Sequence, residues 1–243
     1  MRFKAISFEK SHHLARIILP GSEAGKSRAW LVMEDLAEVL EVINYDEEVW
    51  LVAVTGEGEA FRLSDKLPLE QREKGMNALA AMDRPLIMGL GGAVWDAGLE
   101  LALCADICLV AESAQLGFSP HWLPVPGTIH RLTRLVGENR ALELLLTNRV
   151  LGAREANAWG LVCQVVADDA VVTTAHQLSL ELAQKAPIAL RYIKEAVHLG
   201  LDMSLEQGLR LEADLSFLLH TTQDRREGIR AFCEKRRPVF VGK

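Results

Sequence analysis

Two stretches of this 243-residue chain carry an apolar run into glycine and then restart as a helix pattern. The first is VTGEGEAFRLSDKL, residues 54–67, and the second is IMGLGGAVWDAGLELAL, residues 87–103. A helix N-terminus exposes unpaired N–H groups and a partial positive charge, so it can hold an anionic oxygen. Two such loops aimed at one point would stabilise an enolate or thioester oxygen as charge develops, worth about 10²–10³ in rate per donor. Glycine after a strand is also common turn chemistry, so spacing alone leaves both readings open. A third feature is basic: Arg225, Arg226, Arg230, Lys235, Arg236 and Arg237 cluster near the end of an otherwise acidic chain. They suit an anionic ligand or a solvated helix face. His12-His13 has no Asp, Glu or Cys partner at ligand spacing, so it reads as a hairpin turn and no metal is expected.

Positioning such loops requires strands and helices in alternation. Residues 3–9 and 14–19 flank the polar break KSHH and predict an antiparallel hairpin. Residues 21–26 read as a loop, and 30–43 as an amphipathic helix. The runs 49–56 and 85–90 read as strands buried on both faces, with a short helix over 69–81 between them. A helix over 96–104 and a strand over 107–111 follow. Residues 117–128 hold three of the eight prolines and read as loop. From residue 131 the chain is mainly helical, with a strand-like 161–166 and helices over 170–185, 187–199, 205–219 and from about 224. The pattern is an α/β core with a helical C-terminal part, divided as 1–185 and 186–243.

Composition narrows the classes. The net charge is -6 and the sequence pI about 5.7, against the dominant basic surface of a nucleic-acid binder. No run of about twenty apolar residues and no signal-like N-terminus occurs, which predicts a cytoplasmic protein with no membrane partner. Cys104, Cys108, Cys163 and Cys233 lack both zinc spacing and the density of a disulfide scaffold, and read as reduced and structural. The tryptophans at 30, 50, 95, 122 and 159 read mostly as core or pocket walls.

Four segments carry a family resemblance: VWLVAVTGEGEAFRLSDKL, RPLIMGLGGAVWDAGLELALCADICLVAESAQLGF, PGTIHRLTRLVGENRALELLLTNRVLGAREANAWGLVCQVV and TTQDRREGIRAFCEKRRPVF. In order, and over nearly the whole chain, they resemble the crotonase (enoyl-CoA hydratase/isomerase) superfamily. The resemblance implies a crotonase-like (ClpP/crotonase) fold with a repeated ββα core. It also implies a helical C-terminal trimerisation region, assembling as a homotrimer or dimer of trimers. The ligand would be an acyl-CoA thioester, serving as substrate with no separate cofactor, its carbonyl gripped by two backbone N–H groups. The basic tail, Lys235 included, would meet phosphate, which Arg and Lys bind well.

Carried over position by position, the resemblance puts Asp65 and Ala97 at the two oxyanion-hole amides. Arg62, Ser64, Lys66, Asp96 and Gly98 lie around the substrate. The family's GGG becomes Asp96-Ala97-Gly98, bringing a negative charge towards the pocket, and Glu100 aligns with the first catalytic glutamate of hydratases. The second glutamate belongs in a Q-P-E-like triplet, where this chain reads Ser119-Pro120-His121; no carboxylate lies between Glu112 and Glu138. Hydration uses two positioned carboxylates, one as base and one as acid. His121, as an imidazole, is the substitute acid/base group, and Trp122 and His130 are further pocket-lining candidates. Three functions follow: a hydratase- or isomerase-like reaction using Glu100, a malonyl-type decarboxylase or C–C lyase on the same anion hole, or a non-catalytic CoA-binding or assembly homologue.

Overall fold

The computed structural model describes residues 3–56, 61, 63 and 67–243, over 22–28 by backbone alone. Strand β1 (Ser7–Ser11) returns antiparallel as β2 (Leu14–Leu19). The intervening His12 and His13 have φ of 50° and 63°, the left-handed pair that matches a two-residue hairpin to strand twist. The His13 ring stacks on Trp50 with centroids 3.6 Å apart, a tertiary contact that holds a turn usually given to Asn-Gly. Helix α1 (Ser22–Asn44) begins directly after Gly21. The loop expected over 21–26 therefore shrinks to an extended N-cap glycine, and the helical pattern read from residue 30 starts a further two turns earlier.

The centre follows in order: β3 (Leu51–Gly56), α2 (Leu69–Ala80), β4 (Leu86–Leu90), β5 (Ala93–Trp95), α3 (Ala97–Ala102), β6 (Ile107–Ala111) and β7 (Gln115–Gly117). Beyond them lie α4 (Thr128–Val136), α5 (Glu138–Thr147), β8 (Leu151–Gly152), α6 (Ala153–Trp159), β9 (Gln164–Val166) and α7 (Val171–Leu182). Helices α8 (Pro187–Gly200), α9 (Leu205–Leu219) and α10 (Gln223–Cys233) end the chain.

Among the described residues, six strands form a sheet in the order β1-β2-β3-β4-β6-β9, parallel from β2 onward. Every residue of β4 is buried, because the β-branched and leucine-rich runs are covered on both sheet faces. One face packs on α1 and α2 in the main core; the other carries Leu14, Leu51, Ala53, Ile87 and Leu109 against Ala175 of α7. That helix lies very close at Gly89, where a Cβ would stand 3.1 Å from the Val171 side chain and 3.2 Å from Ala175.

A second sheet, β5-β7-β8, was not legible in the sequence. Its strands are two or three residues long, too short to show an alternation. Each of β5 and β7 continues the chain beyond the carboxyl end of a large-sheet strand, β4 and β6 respectively, giving a repeated ββα core with a helical C-terminal part. Among the described residues no helix is long and apolar enough to cross a membrane.

Candidate active site

Helix α3 follows β5 of the second sheet and packs against α2, and all six of its residues are buried. The turn into it is Asp96, with φ 55° and ψ -118°, a backbone state that costs a non-glycine residue about 1–3 kcal/mol. Three hydrogen bonds offset that strain. The Asp96 N–H donates to the Gly117 carbonyl at 3.2 Å. The carboxylate accepts from the Ser119 N–H at 2.7 Å and from its hydroxyl at 2.6 Å. The charge expected to face a ligand is thus spent on tying down the loop after β7.

Ala97 follows, fully buried, and its N–H has no acceptor among the described residues. At Gly98 a Cβ would lie 1.7 Å from the Phe61 carbonyl oxygen, so only glycine lets the chain after β3 rest on this first helical turn. The same Phe61 oxygen accepts from the Trp95 N–H at 3.3 Å. Arg62, Ser64, Asp65 and Lys66 lie outside the described residues.

Glu100, in the same first turn, is 1% exposed. Its Oε1 accepts from the Val125 N–H at 2.8 Å, the Trp122 indole N–H at 3.1 Å and the Thr128 hydroxyl at 3.4 Å. Its Oε2 lies 3.6 Å from Nη1 of Arg72, on the buried face of α2. Burial pushes the Glu100 carboxyl above its usual range; the donors from Val125 and Trp122 and the Arg72 charge pull the other way without cancelling it. A carboxyl with a raised pKa, one saturated oxygen and one oxygen lacking a hydrogen-bond donor among the described residues is suited to passing a proton.

The structure therefore gathers Asp96, Ala97, Gly98, Glu100 and Trp122 around one helix end. His121 and His130 are exposed, and so is Lys235, at φ 54° just after α10. Arg72, Ser119, Val125 and Thr128 were missed. The first carried a signal: Arg72 shares the i, i+3, i+4, i+7 stripe of Gly75, Met76 and Leu79, a face where a solvated arginine does not belong. The others contribute a backbone amide or a small hydroxyl, which sequence type does not distinguish. Cys104 and Cys108 are buried, and burial lifts the Cys104 thiol to about 11, in keeping with inert packing; Cys163 and Cys233 are exposed. Among the described residues no group of three or more His, Cys, Asp or Glu gathers as for a metal.

The sequence model of the enoyl-CoA hydratase/isomerase family matches residues 29–243. The chain belongs to that family. It is 30% identical to the crotonyl-CoA hydratase of Syntrophomonas wolfei over 100% of both chains. It is 33% identical to the 2,3-dehydroadipyl-CoA hydratase of Escherichia coli over 87% of this chain and 89% of that one. Among solved structures, an enoyl-CoA hydratase from Bacillus anthracis superposes with a TM-score of 0.88 at 31% identity, covering 99% of this chain and 100% of that one. The enoyl-CoA hydratase/isomerase, or crotonase, fold is thus shared along nearly the whole chain.

Proposed function

We propose that the protein acts on acyl-CoA thioesters as a hydratase- or isomerase-like enzyme, holding the thioester enolate on backbone amides while Glu100 moves the proton. The observation that carries this reading is Glu100 itself: buried at the first turn of α3, fixed by three donors and raised in pKa by burial. The amides proposed for the oxyanion are those of Ala97 and Asp65. In support, Phe61, four residues before Asp65 in the chain, packs on Gly98 of the helix turn that holds Ala97. Such donors would act where charge develops, in a site screened from water. No cofactor besides the thioester is required on this reading.

The test is to offer purified protein crotonyl-CoA and longer enoyl-CoAs and follow the absorbance of the conjugated thioester. Loss or appearance of that band supports the reading; silence at all chain lengths rejects it.

A second reading is favoured by one specific observation. The loop facing Glu100 presents an indole, an amide and a hydroxyl, with no second carboxylate. Decarboxylation of a malonyl-type thioester, or C–C cleavage, leaves the enolate directly and needs only one proton donor. Mass spectrometry of malonyl-CoA and methylmalonyl-CoA incubations distinguishes this, since turnover there without hydration selects it. Binding of CoA by calorimetry with no turnover on either set would leave a non-catalytic homologue.

The assembly proposed is a homotrimer or a dimer of trimers built through residues 186–243. Ile193, Val197, Leu205, Leu209, Phe217 and Phe232 on α8, α9 and α10 are all exposed in the single chain, a large apolar area for a lone subunit. Sedimentation equilibrium giving a monomer at micromolar concentration would reject it.

A further inference from the structure

We propose that Arg72 is a positioning residue for Glu100, wedged between its carboxylate, the Trp122 ring and the Leu123 carbonyl so that it fixes both the orientation and the charge state of the acid. The inference rests on the acid/base role given to Glu100 above and extends it to a residue on a different helix.

Arg72 is 7% exposed, on the apolar stripe of α2. Burying a guanidinium is costly, and an apolar side chain of similar length would fill the space without that cost. Space-filling therefore does not account for an arginine here. Its contacts do. Nη1 donates to the Leu123 carbonyl at 2.9 Å and lies 3.6 Å from Glu100 Oε2, while Cζ stands 4.1 Å from the Trp122 ring centroid. The indole that carries the guanidinium also donates to Glu100 Oε1. Arginine, indole and carboxylate thus close a triangle in which each member holds the other two. A lysine would supply the charge but not the plane that stacks.

The loop they grip is poor in its own hydrogen bonds. Pro120, Pro124 and Pro126 have no N–H to donate. The Val125 amide goes to Glu100 and the Leu123 carbonyl goes to Arg72, so an acid from α3 and a base from α2 anchor the segment between them. Other ionisable groups surround the triangle: Asp96, whose carboxylate is held by Ser119; Cys104, whose thiol donates to the Glu100 carbonyl at 3.7 Å; Arg131 of α4; and the exposed His121. Among the described residues, Arg72 is the cation paired with the Glu100 carboxylate.

The test compares Arg72→Met and Arg72→Lys by two readouts. One is the pH profile of kcat/KM with an enoyl-CoA. The other is a fluorescence titration of Trp122, using Trp122→Phe to subtract the other tryptophans. In Arg72→Met, checked for folding by circular dichroism, the Glu100 ionisation should move to higher pH by about one unit or more. Its kcat should fall about tenfold or more as the acid loses its orientation. In Arg72→Lys the ionisation should return towards wild type while kcat stays low, because charge is restored and stacking is not. An unmoved ionisation in folded Arg72→Met overturns the proposal. Should that variant not fold, wild-type kcat in Arg72→Lys overturns it instead. If the wild-type protein turns over no thioester, the acid/base reading fails, and the fluorescence titration still decides whether Arg72 sets the Glu100 charge.

Discussion

Glu100, buried, and Asp106, partly buried, are two carboxylates on one short stretch of chain, and they are treated in opposite ways. Asp106, at the start of β6, accepts from Lys194 Nζ at 2.7 Å and from the Leu86 N–H at 2.7 Å, with His198 Nε2 at 3.2 Å. Burial pushes its carboxyl up, but His198 and Lys194 outweigh it, and the net effect holds Asp106 below its usual range. Glu100 has mostly neutral donors and one guanidinium at 3.6 Å, so burial prevails and the carboxyl is raised. Asp106 is placed to stay charged and ties α8 to the chain entering β6, an inner strand of the sheet. On the function proposed above, Glu100 is the one that exchanges a proton. The lesson is that burial alone does not mark a functional carboxylate; the charge of its partners does.

Substitutions can break this contrast. The largest effect is expected for Glu100→Gln, which keeps the shape and removes the proton: kcat on an active thioester should fall about 10²–10⁴-fold with the fold retained, as steady-state kinetics and circular dichroism would show. Next is Asp106→Ala, which strands Lys194 and the Leu86 amide. Stability should fall by about 3 kcal/mol in urea titrations, while kcat per folded molecule stays near wild type. A smaller loss, about 1–3 kcal/mol with reduced turnover, is expected for Gly98→Ala, whose methyl must displace the Phe61 carbonyl. Asp96→Asn should matter least. It keeps an acceptor for Ser119 and a side chain tolerant of positive φ, so a change of about 1 kcal/mol or less is expected in thermal melts.

The pH dependence of stability sharpens the same comparison, because the two acids have opposite signs. Asp106 is depressed in the folded state, so its contribution is present above its unfolded value of about 3.9 and lost as pH falls through the folded value. Glu100 is raised, so its contribution is present below an unfolded value of about 4.3 and lost as pH rises through the folded value. Denaturant melts of Asp106→Ala should lose the acid-side slope. Those of Glu100→Gln should lose the decline at higher pH. A wild-type slope in either variant would show that the acid does not titrate as its surroundings imply.

Much of the fold was legible. The buried runs at β3, β4 and β6 and the amphipathic periods of α2 and α7–α10 fall where apolar spacing puts them, since long periodic segments record which face meets the core. The three short strands of the second sheet and the early start of α1 were not, because a two- or three-residue strand has no period and the turn signals at Gly21 and Gly25 outweighed helix content. Sequence read Gly98 and Glu100 as parts of one helix, and both lie in α3. Sequence did not show that the Asp96 carboxylate, read as a charge near the ligand, is held by Ser119.

By itself the amino-acid order determined the family, the alternation of strands and helices and the placing of Glu100 in the first turn of α3, because local patterns and linear motifs survive being read one residue at a time. Which oxygen of Glu100 is occupied, which arginine faces it and where the Asp96 charge is directed were decided only when α2, α3 and the proline-rich loop came together. Those outcomes depend on distances between residues far apart in the chain, and dielectric, stacking and hydrogen-bond geometry exist only once that packing has formed.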